Sequence, residues 1–126
     1  MKFCPDCGAP TNRRVPEDDD RERDICSRCE TIHYHNPKVI VGCIPEHNGQ
    51  ILMCKRAIEP RYGLWTLPAG FMENGETTAE GAARETWEEA AAVATEPMLY
   101  RIFDVPHINQ VYMFYNVINN TIPTVM

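Results

Sequence analysis

The chain has 126 residues, 44% hydrophobic and 24% charged, which is enough for one ordinary domain with a small appendage. A net charge of −6 speaks against an extended nucleic-acid surface, which needs a basic face, and suits a protein that gathers divalent cations. The longest apolar run, Val39 to Ile44, is far too short to span a membrane, and Met1-Lys2-Phe3-Cys4-Pro5 carries no secretion signal. Six cysteines without such a signal point to a reducing compartment, so metal binding is expected over disulfides and the cytoplasm is the expected location.

Four of those cysteines form matched pairs, Cys4-x2-Cys7 and Cys26-x2-Cys29, separated by residues 8–25. Each pair sets two thiolates on one tight turn, and two turns supply the four tetrahedral ligands zinc prefers. Pro5 fixes one backbone angle of the first turn and Gly8 relieves the next. The pattern resembles a zinc ribbon, with Cys4, Cys7, Cys26 and Cys29 as the zinc ligands and residues 1–36 as its extent. The charged run Pro16 to Asp24 reads as the solvated tip of the ribbon's hairpin. No clear basic patch interleaved with aromatics is visible, so the ribbon is expected to be structural, or a docking and dimerisation element. His33 and His35, on either side of Tyr34, are expected on an extended segment entering the main domain rather than on the metal.

Asn36-Pro37 marks the boundary, because the residue before proline is pushed out of helix. Lys38 to Ile44 reads as a buried strand, Asn48-Gly49 as a hairpin turn, and Ile51 to Lys55 as the return strand. Cys43 and Cys54 are expected there as buried, inert thiols. Arg56 and Arg61 follow, bounding a loop; they are either solvated or able to clamp a diphosphate in bidentate fashion. Trp65 sits in the next short strand, and Pro68-Ala69-Gly70 turns the chain off it.

A helix follows. Thr77 with Glu80 makes a capping box, and Ala79 to Ala94 is rich in helix formers. At about 100° per residue, Ala79, Ala83, Thr86, Trp87, Ala90 and Ala94 share one arc, while Glu85, Glu88 and Glu89 share another. Three carboxylates so crowded cost helix stability unless a cation binds them. Gly81 lies on the acidic arc, where glycine costs about 1 kcal/mol against alanine, and it is reasonable there if something bulky approaches the backbone. Beyond the helix, Met98 to Asp104 and Val111 to Ile118 read as further strands.

The spacing Gly70-x5-Glu76-x7-Arg84-Glu85-x2-Glu88-Glu89 resembles the Nudix box. Two positions depart from that pattern: Thr86 stands where an aliphatic residue is usual and Ala91 where glycine is usual. The helix is therefore expected to run on a little or to end under mild strain. The resemblance implies an α/β fold, a Nudix-like α/β/α sandwich with a mixed β-sheet in residues 37–126, behind the small N-terminal zinc ribbon. It implies hydrolysis of a nucleoside diphosphate linked to another moiety, with Mg²⁺ or Mn²⁺ held by Glu85, Glu88 and Glu89 and by the Gly70 carbonyl. Arg84 takes an orienting role by the same resemblance and Glu76 a loop-stabilising one. Arg56, Arg61 and Trp65 are the candidate substrate contacts, and Trp65 resembles the aromatic that commonly precedes the box, whose ordinary role is packing. The general base stays open between a box glutamate and an acid on a later loop.

A ribbon ahead of this box resembles the NADH pyrophosphatases, but residues 96–110 lack their Ser-Gln-Pro-Trp-Pro-Phe-Pro segment, which favours ADP-ribose or FAD over NADH. Trp65, Tyr34, Tyr112 and Phe114 are candidates to stack on adenine. The alternative from another class is a catalytically weak Nudix-type regulator or nucleic-acid-binding module docking through its ribbon. The sequence stops soon after its last strand, at Thr121 to Met126, so truncation or completion by a partner chain is expected, and a homodimer is the expected state. A nucleotide is the expected small-molecule partner, with neither a membrane nor a nucleic acid.

Overall fold

The computed structural model describes residues 1–59 and 61–119; the C-terminal stretch singled out above lies outside them. The chain divides into two compact units, Met1–Asn36 and Pro37–Met126. In the first, β1 (Thr11–Arg14), β2 (Arg23–Cys26) and β3 (Ile32–His33) form an antiparallel sheet in that order. Its cysteine turn closes through the Gly8 N–H on the Cys4 carbonyl and the Cys4 N–H on the Ala9 carbonyl, both at 2.8 Å. His33 belongs to β3 and His35 Nε2 donates to the Asp24 carboxylate across 2.7 Å, so both histidines are part of the ribbon, not of a segment leading away from it. Asp24, read as solvated tip, is 3% exposed. It is a strand residue whose carboxylate is met by His35, by the N-terminal amine and by Arg13. A buried carboxylate survives only with such partners.

The second unit is a mixed sheet with one helix against it. Its strands are β4 (Lys38–His47), β5 (Gln50–Ile51), β8 (Ala69–Phe71), β9 (Ala94–Val105) and β10 (Gln110–Asn119), and β6 (Cys54–Lys55) pairs separately with β7 (Trp65–Thr66). The order is β5-β4-β10-β9, with β8 also on β4; β4 and β10 run parallel and the other pairs antiparallel. Side chains alternate across a strand, so Val39, Val41 and Cys43 of β4 and Met113, Tyr115 and Val117 of β10 all meet the helix α1 (Thr78–Ala90). The core is small: Val41, Cys43, Ala82, Tyr115 and Val117 are its buried centre. On the opposite face Tyr112 stacks on Phe114 at 6.3 Å and 13°, and Phe103 meets Phe114 edge-on. Among the described residues α1 is the one α-helix, so that opposite face of the expected sandwich carries no helical layer within them.

Three local expectations change. The return strand Ile51 to Lys55 breaks after Ile51, because β8 already occupies the edge of β4 at Ile40, Val41 and Gly42; the chain turns away and pairs Cys54–Lys55 with β7 instead. Cys54 is only partly buried there, whereas Cys43 is buried and donates to the Ala82 carbonyl at 3.3 Å. The buried face of α1 is Gly81, Ala82, Thr86 and Ala90, and Trp87 is 57% exposed, so the apolar arc is rotated from the one read off the wheel. Small side chains decide it: α1 lies close enough to β4 that alanine and threonine fit where tryptophan does not. Thr86 satisfies its hydroxyl by donating to the Ala82 carbonyl at 2.8 Å, which makes threonine acceptable in the core. Met98–Asp104 and Val111–Ile118 lie inside the longer strands β9 and β10.

Candidate functional site

The capping box is complete: Thr77 accepts from the Glu80 N–H and Glu80 accepts from the Thr77 N–H. It fixes the start of α1 and with it the phase of every residue that follows. At the other end Ala91 takes a left-handed conformation, φ 51°, with its N–H on the Trp87 carbonyl. The helix therefore ends where the box normally has glycine, and it does so on a residue that pays for its Cβ.

Arg84 is the hub. Its Nε and one terminal nitrogen grip both oxygens of Glu76 at 3.0 and 2.8 Å. The other terminal nitrogen donates to Glu85 at 2.9 Å and to Glu88 at 3.1 Å, and the fifth donor reaches the Phe71 carbonyl at 3.1 Å. All five guanidinium donors are thus engaged, which only arginine's fork can do. Glu76 accepts the Glu73 N–H as well, at 2.7 Å, so it ties the loop before the helix to the helix itself. The Arg84 guanidinium, then the Glu73 N–H, holds the Glu76 carboxyl down at about 2, and the same carboxylates push the Arg84 pKa up.

Two glycines explain themselves here. A methyl group on Gly70 would fall on the Glu85 carboxylate, so glycine there leaves room for that carboxylate where Arg84 holds it. A Cβ on Gly81 would lie 2.7 Å from Glu76 Oε1 and 2.8 Å from Val41 Cγ2. The bulky neighbours expected at Gly81 are therefore these two side chains.

Glu89 stands apart from the arginine. Its carboxylate accepts the Ala69 N–H at 3.2 Å, which no sequence signal announces. Burial raises its pKa, and the Glu85 and Glu88 charges add to that; the Ala69 N–H and Arg56 pull the other way. Glu89, Gly70, Arg56, Arg61 and Trp65 line one cavity of about 430 Å³, together with Phe71 and Tyr112. Sequence reasoning had no means of seeing that Phe71 faces this space. Trp65 is 61% exposed and Lys55 Nζ lies 5.9 Å from its ring, so it is a surface platform and not the packed residue its ordinary role suggests. Arg61 also takes a left-handed backbone, φ 64°, in the loop whose ends close through the Arg56 N–H on the Leu64 carbonyl at 2.9 Å. Glu85, Glu88 and Arg84 sit on the helix beside this cavity's Gly70–Phe71 edge. Of the other stacking candidates, Tyr34 belongs to the first unit and Phe114 lies on the sheet face beyond Tyr112.

In the first unit the sulfurs of Cys4, Cys7, Cys26 and Cys29 all lie within 4.8 Å of one another, with Cys4 and Cys29 at 3.8 Å and Cys7 and Cys26 at 3.3 Å. Four sulfurs each 2.3 Å from a tetrahedral ion stand about 3.8 Å apart. Burial pushes the Cys4 thiol up to about 11, while the Cys29 N–H, ahead of the Arg28 N–H, brings Cys26 down to about 6. His33 approaches Cys4 Sγ at 3.3 Å and, with Asp6, forms a second grouping around that cysteine. It is placed to support a ligand from outside the cysteine set.

Comparison with known proteins gives two family matches, "Nudix N-terminal" over residues 2–35 and "NUDIX domain" over residues 36–121. An ADP-ribose pyrophosphatase of Methanocaldococcus jannaschii is 37% identical over 73 residues, 58% of this chain and 43% of that protein. An NAD-capped RNA hydrolase of Vibrio parahaemolyticus is 36% identical over 91 residues, 71% of this chain and 32% of that one. The chain thus spans less than half the length of these curated relatives. A crystal structure of a NUDIX hydrolase from Nitrosomonas europaea superposes with a TM-score of 0.89 at 56% identity, covering 97% of this chain and 69% of that one. A bifunctional NMN adenylyltransferase/ADP ribose pyrophosphatase from Francisella tularensis, complexed with AMP and a manganese ion, gives 0.60 at 27% identity, over 72% of this chain and 30% of that one. No helix among the described residues is long and apolar enough to cross a membrane. With Glu76, Glu85 and Glu88 gathered around Arg84 and its cysteines gathered into one cluster, the chain belongs to the Nudix family and carries that family's zinc-ribbon N-terminal unit.

Proposed function

We propose that the protein hydrolyses the pyrophosphate bond of a nucleoside diphosphate linked to another moiety, with ADP-ribose as the foremost substrate and FAD and NADH as related ones. The observation that carries this is the Arg84 clamp, which aims Glu85 and Glu88 while Glu89 is held by the Ala69 N–H on the wall of a cavity that also has two arginines and an exposed tryptophan. Relatives described as acting on ADP-ribose and on NAD-capped RNA, each joined through a pyrophosphate, support the substrate class.

Glu76, Glu85 and Glu88 share one arginine and Glu89 stands outside its reach, so the stripe retains excess negative charge next to a backbone stripped of side chain at Gly70. That donor set fits hard divalent ions: Glu85, Glu88, Glu89 and the Gly70 carbonyl would hold Mg²⁺ or Mn²⁺. When bound, such ions screen the diphosphate and lower the pKa of an attacking water. Arg84 positions the carboxylates and does not touch substrate. Arg56 and Arg61 meet the phosphate oxygens, and Trp65 offers its face to the base. In residues 1–36 Zn²⁺ would sit among the four cysteines as a structural ion. Residues 37–126 form the hydrolase domain, and a cytoplasmic homodimer completes the reading, which light scattering in solution addresses directly.

The test is release of AMP from ADP-ribose with Mg²⁺ or Mn²⁺. Glu89→Gln is expected to lower kcat at least 100-fold, as loss of a metal-held charge does. Absence of any mononucleotide product from ADP-ribose, FAD, NADH and capped RNA alike contradicts the proposal.

A further inference from the structure

The sheet face turned away from α1 carries a second cavity that the hydrolase reading leaves unused. Strand register builds its floor. Phe71 of β8 lies opposite Ile40 of β4, Ile40 opposite Tyr112 of β10, and Tyr112 opposite Phe103 of β9. Residues directly opposite one another share a face, so these four side chains form one row across the sheet. The cavity that holds Glu89 and Trp65 covers the Phe71 end of the row and takes in Ile40 and Tyr112. The second cavity, of about 500 Å³, covers the Phe103 end, where Tyr112, Phe114 and Ile108 wall it together with Arg61 and His107. Arg61, Leu67 and Tyr112 belong to both, so the two are halves of one trough. Among the described residues no acidic side chain lines the second half. Three rings do. Tyr112 and Phe114 lie 6.3 Å apart and 13° from parallel, and Phe103 meets Phe114 edge-on at 6.0 Å.

We infer that this half of the trough holds a planar fused ring on the far side of the substrate's diphosphate, of the kind an isoalloxazine presents. The inference rests on the hydrolase reading and narrows it to the group joined to the nucleoside diphosphate. With a base on Trp65 and a phosphate on Arg61, that group is carried toward Phe103, because Arg61 stands on the walls of both halves. A bare ribose would leave the three rings wet. A fused ring covers them and takes up the offset or edge-on contacts that aromatic side chains prefer. The width of the wall selects a fused ring over a single one, since a six-membered ring laid on Tyr112 leaves Phe114, 6.3 Å away, uncovered. Arg61 and His107 supply donors for ring carbonyl oxygens, and no carboxylate on that wall competes for them. An apolar enclosure with a few polar groups at its edge is the usual build of a small-molecule site. Of the substrates proposed above, FAD carries such a ring. One water added across its P–O–P bond gives AMP and FMN, and the ring leaves with FMN.

The experiment is a titration of FMN, read by quenching of flavin fluorescence, on the intact, zinc-loaded protein with Mg²⁺, followed by steady-state hydrolysis of FAD and of ADP-ribose. Saturable quenching is expected, with ribose 5-phosphate, which has the phosphate but no ring, competing about tenfold more weakly than FMN binds. Phe103→Leu keeps an apolar side chain but removes a ring, and is expected to weaken FMN binding and raise KM for FAD about tenfold, with Phe103→Tyr restoring both. His107→Ala, in the exposed turn Pro106–Ile108, is expected to do the same about threefold by removing one donor. KM for ADP-ribose is expected to stay unchanged in all three, which also reports that they are folded. Absence of saturable quenching overturns the inference. So does ribose 5-phosphate competing at the affinity of FMN, which would mark a phosphate site alone, or variants that change FAD and ADP-ribose equally. FMN binding that weakens as protein concentration rises would show a second copy covering this face, and overturns it as well. Failure to release a mononucleotide from any substrate contradicts the hydrolase reading instead, and the FMN titration still decides whether the ring site exists.

Discussion

Arg84 is where the chemistry of the proposed site is most exposed to a single substitution. Lysine keeps the charge but offers three donors from one point, so it can hold neither both oxygens of Glu76 nor Glu85, Glu88 and the Phe71 carbonyl together. Arg84→Lys is expected to lower kcat about 10–100-fold, the usual range for a residue that orients metal ligands, with KM moving far less; an unchanged kcat would show that the clamp is dispensable. Glu76 carries a pH signature. Its folded carboxyl sits at about 2 against an ordinary 4.5, so its contribution to stability is fully present above 4.5 and is lost as pH falls toward 2. The difference in urea midpoint between the wild type and Glu76→Gln is therefore expected to be constant above pH 5 and to shrink in acid. A difference that grows in acid would reverse the sign and contradict the assignment.

At the scale of elements, α1 is held at both ends by local devices that work unequally. The capping box at Thr77 and Glu80 satisfies the orphan donors of its first turn. Ala91 closes the other end in a left-handed conformation that disfavours any residue with a Cβ. Ala91→Gly is expected to raise stability by about 1 kcal/mol, the cost of that conformation in an L-residue, measured by thermal or urea unfolding. Destabilisation would show that the glycine's added freedom in the unfolded chain outweighs relief of the strain. Sequence alone showed the helix, its cap and its glutamates because all three are written in residues within one turn of each other. The rotation of its buried face was not legible, since Trp87 is apolar by type and yet exposed. Only the closeness of α1 to Val41 and Cys43 selects Ala82 and Thr86 over it. The break after Ile51 was equally hidden, because it depends on β8 reaching β4 from residues 69–71.

For the molecule as a whole, the two units draw stability from different sources. The second has a contiguous apolar cluster, whereas the first buries little beyond Cys4, Asp24, Ile25 and Cys26. A unit of that size needs a metal staple. Chelation of zinc is accordingly expected to release amide-exchange protection across β1–β3 while β4 and β10 keep theirs; a ribbon that stays protected without metal would contradict a structural zinc. The cysteine spacing made the ribbon readable, but not the fate of Asp24 or of the histidines. Those residues look like a charged tip and a linker until strand pairing sets His33 opposite Asp24 and brings His35 to its carboxylate. In the same way Arg56, Arg61 and Trp65 could be named from their place before the box, but the Ala69 N–H on Glu89 emerges only from the fold.

Manganese binding followed by electron paramagnetic resonance, with the ribbon already loaded with zinc, tests most directly whether the acidic stripe of α1 exists to hold cations. Saturable binding of Mn²⁺ to the wild type, tightened by ADP-ribose and lost in both Glu85→Gln and Glu89→Gln, is the expected result. Binding that is absent, or that survives both substitutions unchanged, would contradict the account at its centre.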